Sequence, residues 1–347
     1  MRLRTVLATA AATLVAATCL TATGSANAAR NNACSPTVSI DRFSDALDKT
    51  TYDGTFVGNL SALAVDHHRR GSLLALSDRS ALFRLDGRTL APNAVVPLAD
   101  ESGAALDTEG LVIDRDGTRL ISSETEPSVR RYSRDGRILD RLPVPDALKV
   151  APAGRAVSNG TFEGLTLLPG GRTLLASMEY ALAGDSSDIV RFQTWNRTKH
   201  GRFTLGPQYA YRADAGLGVP EVQATPDGRL LVLERGWTSG VGNTVRLYLA
   251  DPRRATDTSG IENLTGQDGV RLVKKTLLAD IAACPSLGAT AKQPQPNPLL
   301  DNIEGMAITG YSKGRKDRKG HLRVLLVSDD NQNDVQTTRF YHLRIRV

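Results

Sequence analysis

The sequence predicts an all-β protein that folds as a single β-propeller of antiparallel strands. Three observations predict it: a strand hairpin that recurs five times, glycine-containing turns between the strands, and a scarcity of helical patterns. Only residues 276–284, just before Pro285, have the pattern of a short helical turn. A hairpin that recurs every 40 to 55 residues or so is typical of propeller blades.

Each copy of the repeat contains a short apolar strand, a polar turn, a second apolar strand and then an acidic residue. Equivalent positions near the start of the first strand are Ser61, Glu109, Glu163, Glu221 and Glu304. They are separated by 48, 54, 58 and 83 residues. The last gap has room for a degenerate blade around residues 270–278. We therefore expect six blades, with five as the alternative.

A ring of blades has to close, because an open ring would leave unpaired strand edges. The N-terminal strand near residues 37–40 and the C-terminal segment 338–347 are the candidates for this pairing. We expect them to share one sheet.

The first 28 residues have the features of a secretory signal peptide. Arg2 and Arg4 precede an apolar stretch at residues 6–20, and Ala26-Asn27-Ala28 forms an A-x-A cleavage site. The stretch is too short to span a bilayer, so no membrane insertion is expected. Lipid attachment at Cys19 is disfavoured because the residues before it lack the required pattern. We expect residues 29–347 to form the secreted propeller domain, as a monomer.

The charge of the chain does not indicate a polyanionic partner. Removal of the signal peptide leaves 41 basic against 37 acidic residues, spread along the chain. The densest basic run, residues 315–319, contains an acid and is flanked by glycines. A solvated hairpin loop explains this run better than a nucleic-acid site does.

Two cysteines, Cys34 and Cys284, remain after the signal peptide. Thiols in an exported chain usually pair, so we predict a disulfide between them. A catalytic cysteine is disfavoured, since neither residue has a histidine beside it in the sequence and an exported thiol would be oxidised.

A residue that recurs at one strand position of a propeller recurs as a ring around the central channel. The repeat therefore predicts two rings of carboxylates at the channel mouth. One ring holds Glu109, Glu163, Glu221 and Glu304, in phase with Ser61; the other holds Asp78, Glu124, Glu179, Glu234 and Asp329. Converging carboxylates repel unless protons or cations neutralise them, and oxygen-rich sites suit calcium.

A structural role is the alternative for each of these acids. A carboxylate at the start of a hairpin can accept backbone N–H bonds from a neighbouring blade, and the glycine after it can allow strands to approach closely. Both interpretations stay open on the sequence alone.

The motifs resemble those of the phytase-like family of secreted bacterial proteins, described as having the esterase-like activity of phytase. The resemblance rests on several E-G-[LM] units, such as Glu109-Gly-Leu111 and Glu304-Gly-Met306, together with Ser328-Asp-Asp-Asn331 and Arg339-Phe-Tyr341. It implies a propeller related to calcium-dependent phytases, which hydrolyse phosphomonoesters at a carboxylate-lined calcium cluster. The nine carboxylates are then the candidate calcium ligands.

Within that interpretation, Glu109 and Glu163 are the candidate catalytic residues. Arg79 and Arg235 each directly follow one of the carboxylates. They are the candidate substrate-binding residues, and the alternative is that they pair with those acids. Hydrolysis assisted by a bound cation needs no serine or histidine nucleophile. The single G-x-S-x-G match, around Ser312, leads through a basic loop into a strand and so lacks the context of a nucleophile elbow. The histidine spacings match no zinc motif.

The predicted function is calcium-dependent hydrolysis of a small-molecule ester or phosphoester. A dense set of Lys and Arg near the mouth, expected for a hexakisphosphate substrate, is missing from the sequence. Two alternatives remain: a propeller that binds a ligand or partner without catalysis, and a calcium-dependent lactonase.

Overall fold

Five four-stranded antiparallel sheets are arranged as blades around a central channel. The computed structural model describes residues 32–314 and 320–347; the predicted signal peptide and the basic run 315–319 lie outside the described residues. No described helix is long and apolar enough to cross a bilayer.

The described residues form 22 strands and two 3₁₀ turns, at Asp146–Leu148 and Ile281–Ala283. In chain order the strands are β1 Val38–Ser44, β2 Thr50–Tyr52, β3 Thr55–Val57, β4 Leu60–Asp66, β5 Ser72–Ser77, β6 Ala81–Asp86, β7 Pro92–Pro97, β8 Thr108–Ile113, β9 Arg119–Ser123, β10 Ser128–Tyr132, β11 Ile138–Arg141, β12 Phe162–Leu167, β13 Thr173–Met178, β14 Ile189–Arg197, β15 Phe203–Arg212, β16 Gly218–Ala224, β17 Leu230–Thr238, β18 Gly242–Asp251, β19 Lys274–Asp280, β20 Ile303–Ser312, β21 His321–Ser328 and β22 Phe340–Arg346.

Blades 1 to 4 are β4–β7, β8–β11, β12–β15 and β16–β19, each numbered from the channel outwards. The innermost strands, β4, β8, β12, β16 and β20, contact one another in a closed ring. Strands in the interior of a blade are covered on both faces by neighbouring blades, so their sequences are mostly apolar. In β5, for example, all six residues are buried.

The glycine of the E-G-[LM] unit allows the innermost strands to approach closely. A Cβ atom at Gly164 would lie 2.5 Å from the backbone nitrogen of Val222 in the next blade. Any other residue at this position would push the two strands apart. The repeat therefore carries glycine for packing as well as glutamate.

The prediction of six blades is wrong, and the described residues form five. Residues 270–278 do not start a blade; most of them belong to β19, the outermost strand of blade 4. The 83-residue gap is filled by the long strands β17 and β18 and by irregular segments before and after β19. The predicted helical turn is confined to Ile281–Ala283, directly after β19.

Ring closure follows the predicted pairing. Blade 5 consists of β20, β21 and β22, with β1 as its outermost strand. Strand β1 pairs antiparallel with β22, from Val38 opposite Ile345 to Ser44 opposite Phe340. The first described strand is thus locked onto the last, and it covers the outer edge of β22.

The predicted disulfide is confirmed. Cys34 precedes β1 and Cys284 follows the second 3₁₀ turn, and the two sulfurs are bonded across 250 residues of sequence. The bond ties the closing strand of blade 5 to the end of blade 4.

We predict that replacing both cysteines by alanine destabilises the propeller without changing its fold. A cross-link over a loop this long restricts the unfolded chain, which gives a loss of up to about 5 kcal/mol on an entropic estimate. The measurement is the urea midpoint, and dithiothreitol should lower the midpoint of the natural protein but not that of the variant. Equal midpoints for the two proteins would show that the bond contributes nothing.

Candidate functional site

The start of each innermost strand is irregular, and the first predicted ring lies at this irregularity. The pairing register shifts between Leu60 and Ala62 in β4, and the same shift recurs in β8, β12 and β20. A bulge leaves an extra residue unpaired and re-aims its side chain. The residues at these bulges are Ser61, Glu109, Glu163 and Glu304, and all four line one cavity at the channel mouth.

The second ring comes from the ends of the second strands. Asp78, Glu124, Glu179 and Asp329 directly follow β5, β9, β13 and β21, and they line the same cavity. Its volume is about 410 Å³. Seven of the nine predicted carboxylates therefore converge on one mouth, most of them buried.

Blade 4 departs from this pattern, and the predicted convergence is wrong for its two carboxylates. The register shift in β16 ends before Glu221, so Glu221 lies in regular pairing, opposite Leu233. Its side chain is fully buried and accepts an N–H bond from Val222 at 2.8 Å. Glu221 does not line the cavity among the described residues.

Glu234 is also outside the cavity lining. Its carboxylate accepts hydrogen bonds from the Tyr211 hydroxyl at 2.6 Å and from the Asp214 backbone N–H at 2.7 Å, and the Lys275 ammonium lies 2.6 Å away. These contacts match the structural role that the sequence left open for each acid. Arg235, the next residue, faces the cavity instead.

Several lining residues were missed by the sequence analysis. Asp107 is the most important, because it adds an eighth carboxylate. A signal was present: Asp107 and Asn302 each stand two residues before a bulge glutamate, and Asn59 stands two residues before Ser61. The other missed lining residues are Asn159, Tyr180, Trp237, Asn243, Asn302, Asn331 and Gln336.

Two groups of three carboxylates are close enough to share a cation. Asp107, Glu109 and Glu124 form one group, and Glu124, Glu163 and Glu179 form the other; within each, one oxygen per residue lies within 4.8 Å of the others. Glu124 belongs to both groups. The arrangement therefore offers two candidate cation positions that share Glu124.

Burial and mutual repulsion make these acids hard to ionise. Burial, followed by the charges of neighbouring acids, raises the pKa of Glu109 and Glu163 well above the usual range. Burial is also the main cause that raises the pKa of Asp78 and of Glu124 to about 7. At neutral pH the cavity therefore needs protons or cations to offset its charge.

The two predicted arginines occupy different positions in the cavity wall. The Arg235 guanidinium lies 2.5 Å from a Glu304 oxygen and 3.4 Å from a Glu179 oxygen, and it opposes the burial that raises the pKa of both acids. Arg79 is 64% exposed in its side chain and lies 3.4 Å from Asp78. Arg235 is thus fixed within the wall, and Arg79 stands at its rim.

The donor set fits a hard divalent cation. Each group of three offers oxygen atoms alone, which calcium and magnesium prefer to nitrogen or sulfur. Among the described residues, Oε1 of Glu179, Oδ1 of Asp78 and Oγ of Ser61 are buried without a hydrogen-bond partner. Glu179 Oε1 and Asp78 Oδ1 each lie 3.4 Å from an arginine nitrogen but accept no hydrogen bond, so these oxygens can still coordinate an ion.

Sequence comparison matches the profile of the phytase-like family, described as "esterase-like activity of phytase", to residues 55–332. The chain belongs to this family. One curated relative is an uncharacterised secreted protein of the fungus Arthroderma benhamiae, 32% identical over 114 residues. That match covers 26% of this chain and 22% of the fungal protein, so the chain spans about a fifth of its relative's length.

The solved structures that align with this chain are distant in sequence. A gluconolactonase from Xanthomonas campestris is 14% identical, with a TM-score of 0.41 over 84% of this chain and 73% of that one. Virginiamycin B lyase from Staphylococcus aureus is 9% identical, with a TM-score of 0.36 over 82% and 79%.

We predict that the EDTA-treated protein becomes less stable as the pH rises from about 4 to about 7. Acids whose pKa is raised by folding hold protons in the native state that the unfolded chain has released, so their contribution is complete below about pH 4 and is lost through about pH 7. The measurement is the thermal midpoint against pH. Glu124→Gln should flatten the profile, whereas the exposed Glu262→Gln should not; a flat profile for the natural protein contradicts the prediction.

Proposed function

We propose that this protein is a secreted, calcium-dependent hydrolase of small esters or phosphoesters, with its site at the carboxylate-lined mouth. The observation that carries the proposal is the pair of carboxylate groups joined by Glu124. Membership of a family named for esterase-like activity of phytase supports the reaction class.

The candidate ligands are the carboxylates of the two groups: Asp107, Glu109, Glu124, Glu163 and Glu179. Bound calcium would offset the charge of the substrate's oxygens and lower the pKa of an attacking water. Asp78, Glu304 and Asp329 extend the same negative wall towards blades 1 and 5.

Glu109 and Glu163 are the proposed proton acceptors. Both lie at strand bulges and are buried beside the proposed cation positions, where a carboxylate oxygen that does not coordinate an ion can act as a general base. An oxygen of one of them would take the proton of the attacking water. The same group would then return it to the leaving oxygen.

Arg235 and Arg79 are proposed to bind the negative charge of the substrate. The Arg235 guanidinium is already held by Glu304 and Glu179, so it is oriented before the substrate arrives. Its Nε atom has no hydrogen-bond partner among the described residues. A planar guanidinium in this position suits a phosphoryl or carboxyl oxygen.

The charge of the cavity limits the substrate class. Among the described lining residues, eight are Asp or Glu and only Arg79 and Arg235 are Arg or Lys. Two calcium ions would leave this wall with an excess of negative charge. A substrate that has a single ester group and little negative charge therefore suits the site better than a hexakisphosphate does.

Export to the outside of the cell is part of the proposal. The signal-peptide pattern in residues 1–28, the Cys34–Cys284 disulfide and the secreted fungal relative all support it. Millimolar extracellular calcium would be available to a weak site there.

Activity assays test the proposal. The purified protein should hydrolyse p-nitrophenyl phosphate or p-nitrophenyl acetate with calcium and lose that activity in EDTA, and phytate should be the poorer substrate. Glu109→Gln and Glu163→Gln should both lower kcat, by at least a hundredfold for the one that serves as general base, while the exposed Glu262→Gln leaves kcat unchanged.

Circular dichroism melts should show that the two inactive variants remain folded. Turnover of lactones alone would replace the proposal with a lactonase. No turnover of any ester, phosphoester or lactone with calcium would leave a ligand-binding propeller.

A further inference from the structure

The hairpin between β17 and β18 extends the wall of the cavity. In the other four blades the second strand ends just before the ring carboxylate, as β13 does at Met178. In blade 4 the second strand, β17, continues to Thr238, and its ladder with β18 runs on through Trp237 opposite Asn243. We call residues 235–243 the mouth hairpin. Three of its side chains, those of Arg235, Trp237 and Asn243, line the cavity.

Trp237 is an exposed aromatic ring beside a polar site. Its exposed fraction is 58%, whereas Trp195, the other tryptophan of the sequence, is fully buried. A large apolar surface left in water at the rim of a cavity lined mainly by acids and amides has no role in packing the blade. An indole face in such a position can cover the flat face of a ring in a bound molecule.

The mouth hairpin is held rigidly from both sides. The Gln295 Oε1 atom accepts a hydrogen bond from the Asn243 backbone N–H at 2.7 Å, and a Cβ atom at Gly242 would lie 2.4 Å from that same oxygen. On the other side, a Cβ at Gly236 would lie 2.8 Å from the Gly216 carbonyl oxygen. Binding therefore needs little reordering of the hairpin.

Two hydrogen-bond donors of the hairpin are buried and unpaired among the described residues: Nδ2 of Asn243 and Nε of Arg235. Asn243 is only 1% exposed. A buried donor without a partner costs free energy, and a ligand with acceptor oxygens would remove that cost.

We propose that the mouth hairpin selects substrates whose ester joins a flat ring. Trp237 covers the face of the ring, while Asn243 and Arg235 donate to oxygens near the ester. This inference rests on the proposed function and adds its substrate class: esters or phosphoesters of aromatic or sugar rings rather than of short alkyl chains.

The test is ligand binding to the calcium-loaded full chain, measured by calorimetry and by tryptophan fluorescence. The probes are methylphosphonate, phenylphosphonate and glucosyl C-phosphonate, which share a non-hydrolysable phosphonate group and differ in the group attached to it. Phenylphosphonate or glucosyl C-phosphonate should bind about tenfold more tightly than methylphosphonate and change the fluorescence of Trp237. The ring that binds more tightly shows whether the natural substrate has an aromatic ring or a sugar ring.

Three variants separate the hairpin from the metal site. Trp237→Ala should abolish the preference for a ring, Trp237→Phe should keep most of it, and Val241→Ala, on the exposed tip of the same hairpin, should keep all of it. Calcium affinity should stay the same in all three.

Two outcomes would overturn the inference. If the three probes bind equally well with calcium, the ring-selecting role fails and the proposed hydrolase site stands. If none binds with calcium, the phosphoester site fails as well, and the ring-selecting role with it.

Discussion

Among the residues that the structure describes, eight carboxyl groups and two guanidinium groups share the cavity at the channel mouth. Two unit charges 4 Å apart repel by about 4 kcal/mol at an effective dielectric constant of about 20. These acids come from four different blades, so their repulsion acts to push the blades apart. The pairing of β1 with β22 and the Cys34–Cys284 bond oppose that separation where the ring closes. A bound cation would offset the repulsion at its source.

The cavity is divided in function between its blades. Both groups of three carboxylates come from blades 2 and 3 and from Asp107, just before blade 2. Within the described part of the chain, blade 4 provides no carboxylate to the lining; it provides Arg235, Trp237 and Asn243 instead. The blade that breaks the repeat is therefore the one with the features of a substrate-binding wall. Departures from a regular pattern are expected at functional sites.

Much of the fold could be predicted from the sequence because propeller blades are local units. The hairpins, the disulfide and the closing pair of strands follow from residues that are near in sequence or few in number, such as Cys34 and Cys284. The blade number could not be predicted, since the extra residues between Glu221 and Glu304 form long strands and irregular segments. Their length alone does not distinguish them from a sixth blade.

The lining residues could be predicted from the sequence in those blades where the bulge of the innermost strand has the same position in the repeat. Glu109, Glu163 and Glu304 have equivalent places in sequence and in space. Glu221 aligns with them in sequence, yet the bulge of its strand ends before it, and strand register is set by pairing partners that a single sequence does not reveal. Asp107 belongs to the loop before its strand, outside the apolar repeat, and its mark in the sequence is the polar residue that also stands two positions before Ser61 and Glu304.

Calcium stoichiometry tests the central claim most directly. The two carboxylate groups share Glu124, so calorimetric titration of the natural protein should give two calcium ions per chain. Glu124→Gln should weaken both at least tenfold, whereas Glu179→Gln should weaken one and leave the other. A single ion, or equal effects of the two substitutions, would contradict a two-cation site bridged by Glu124.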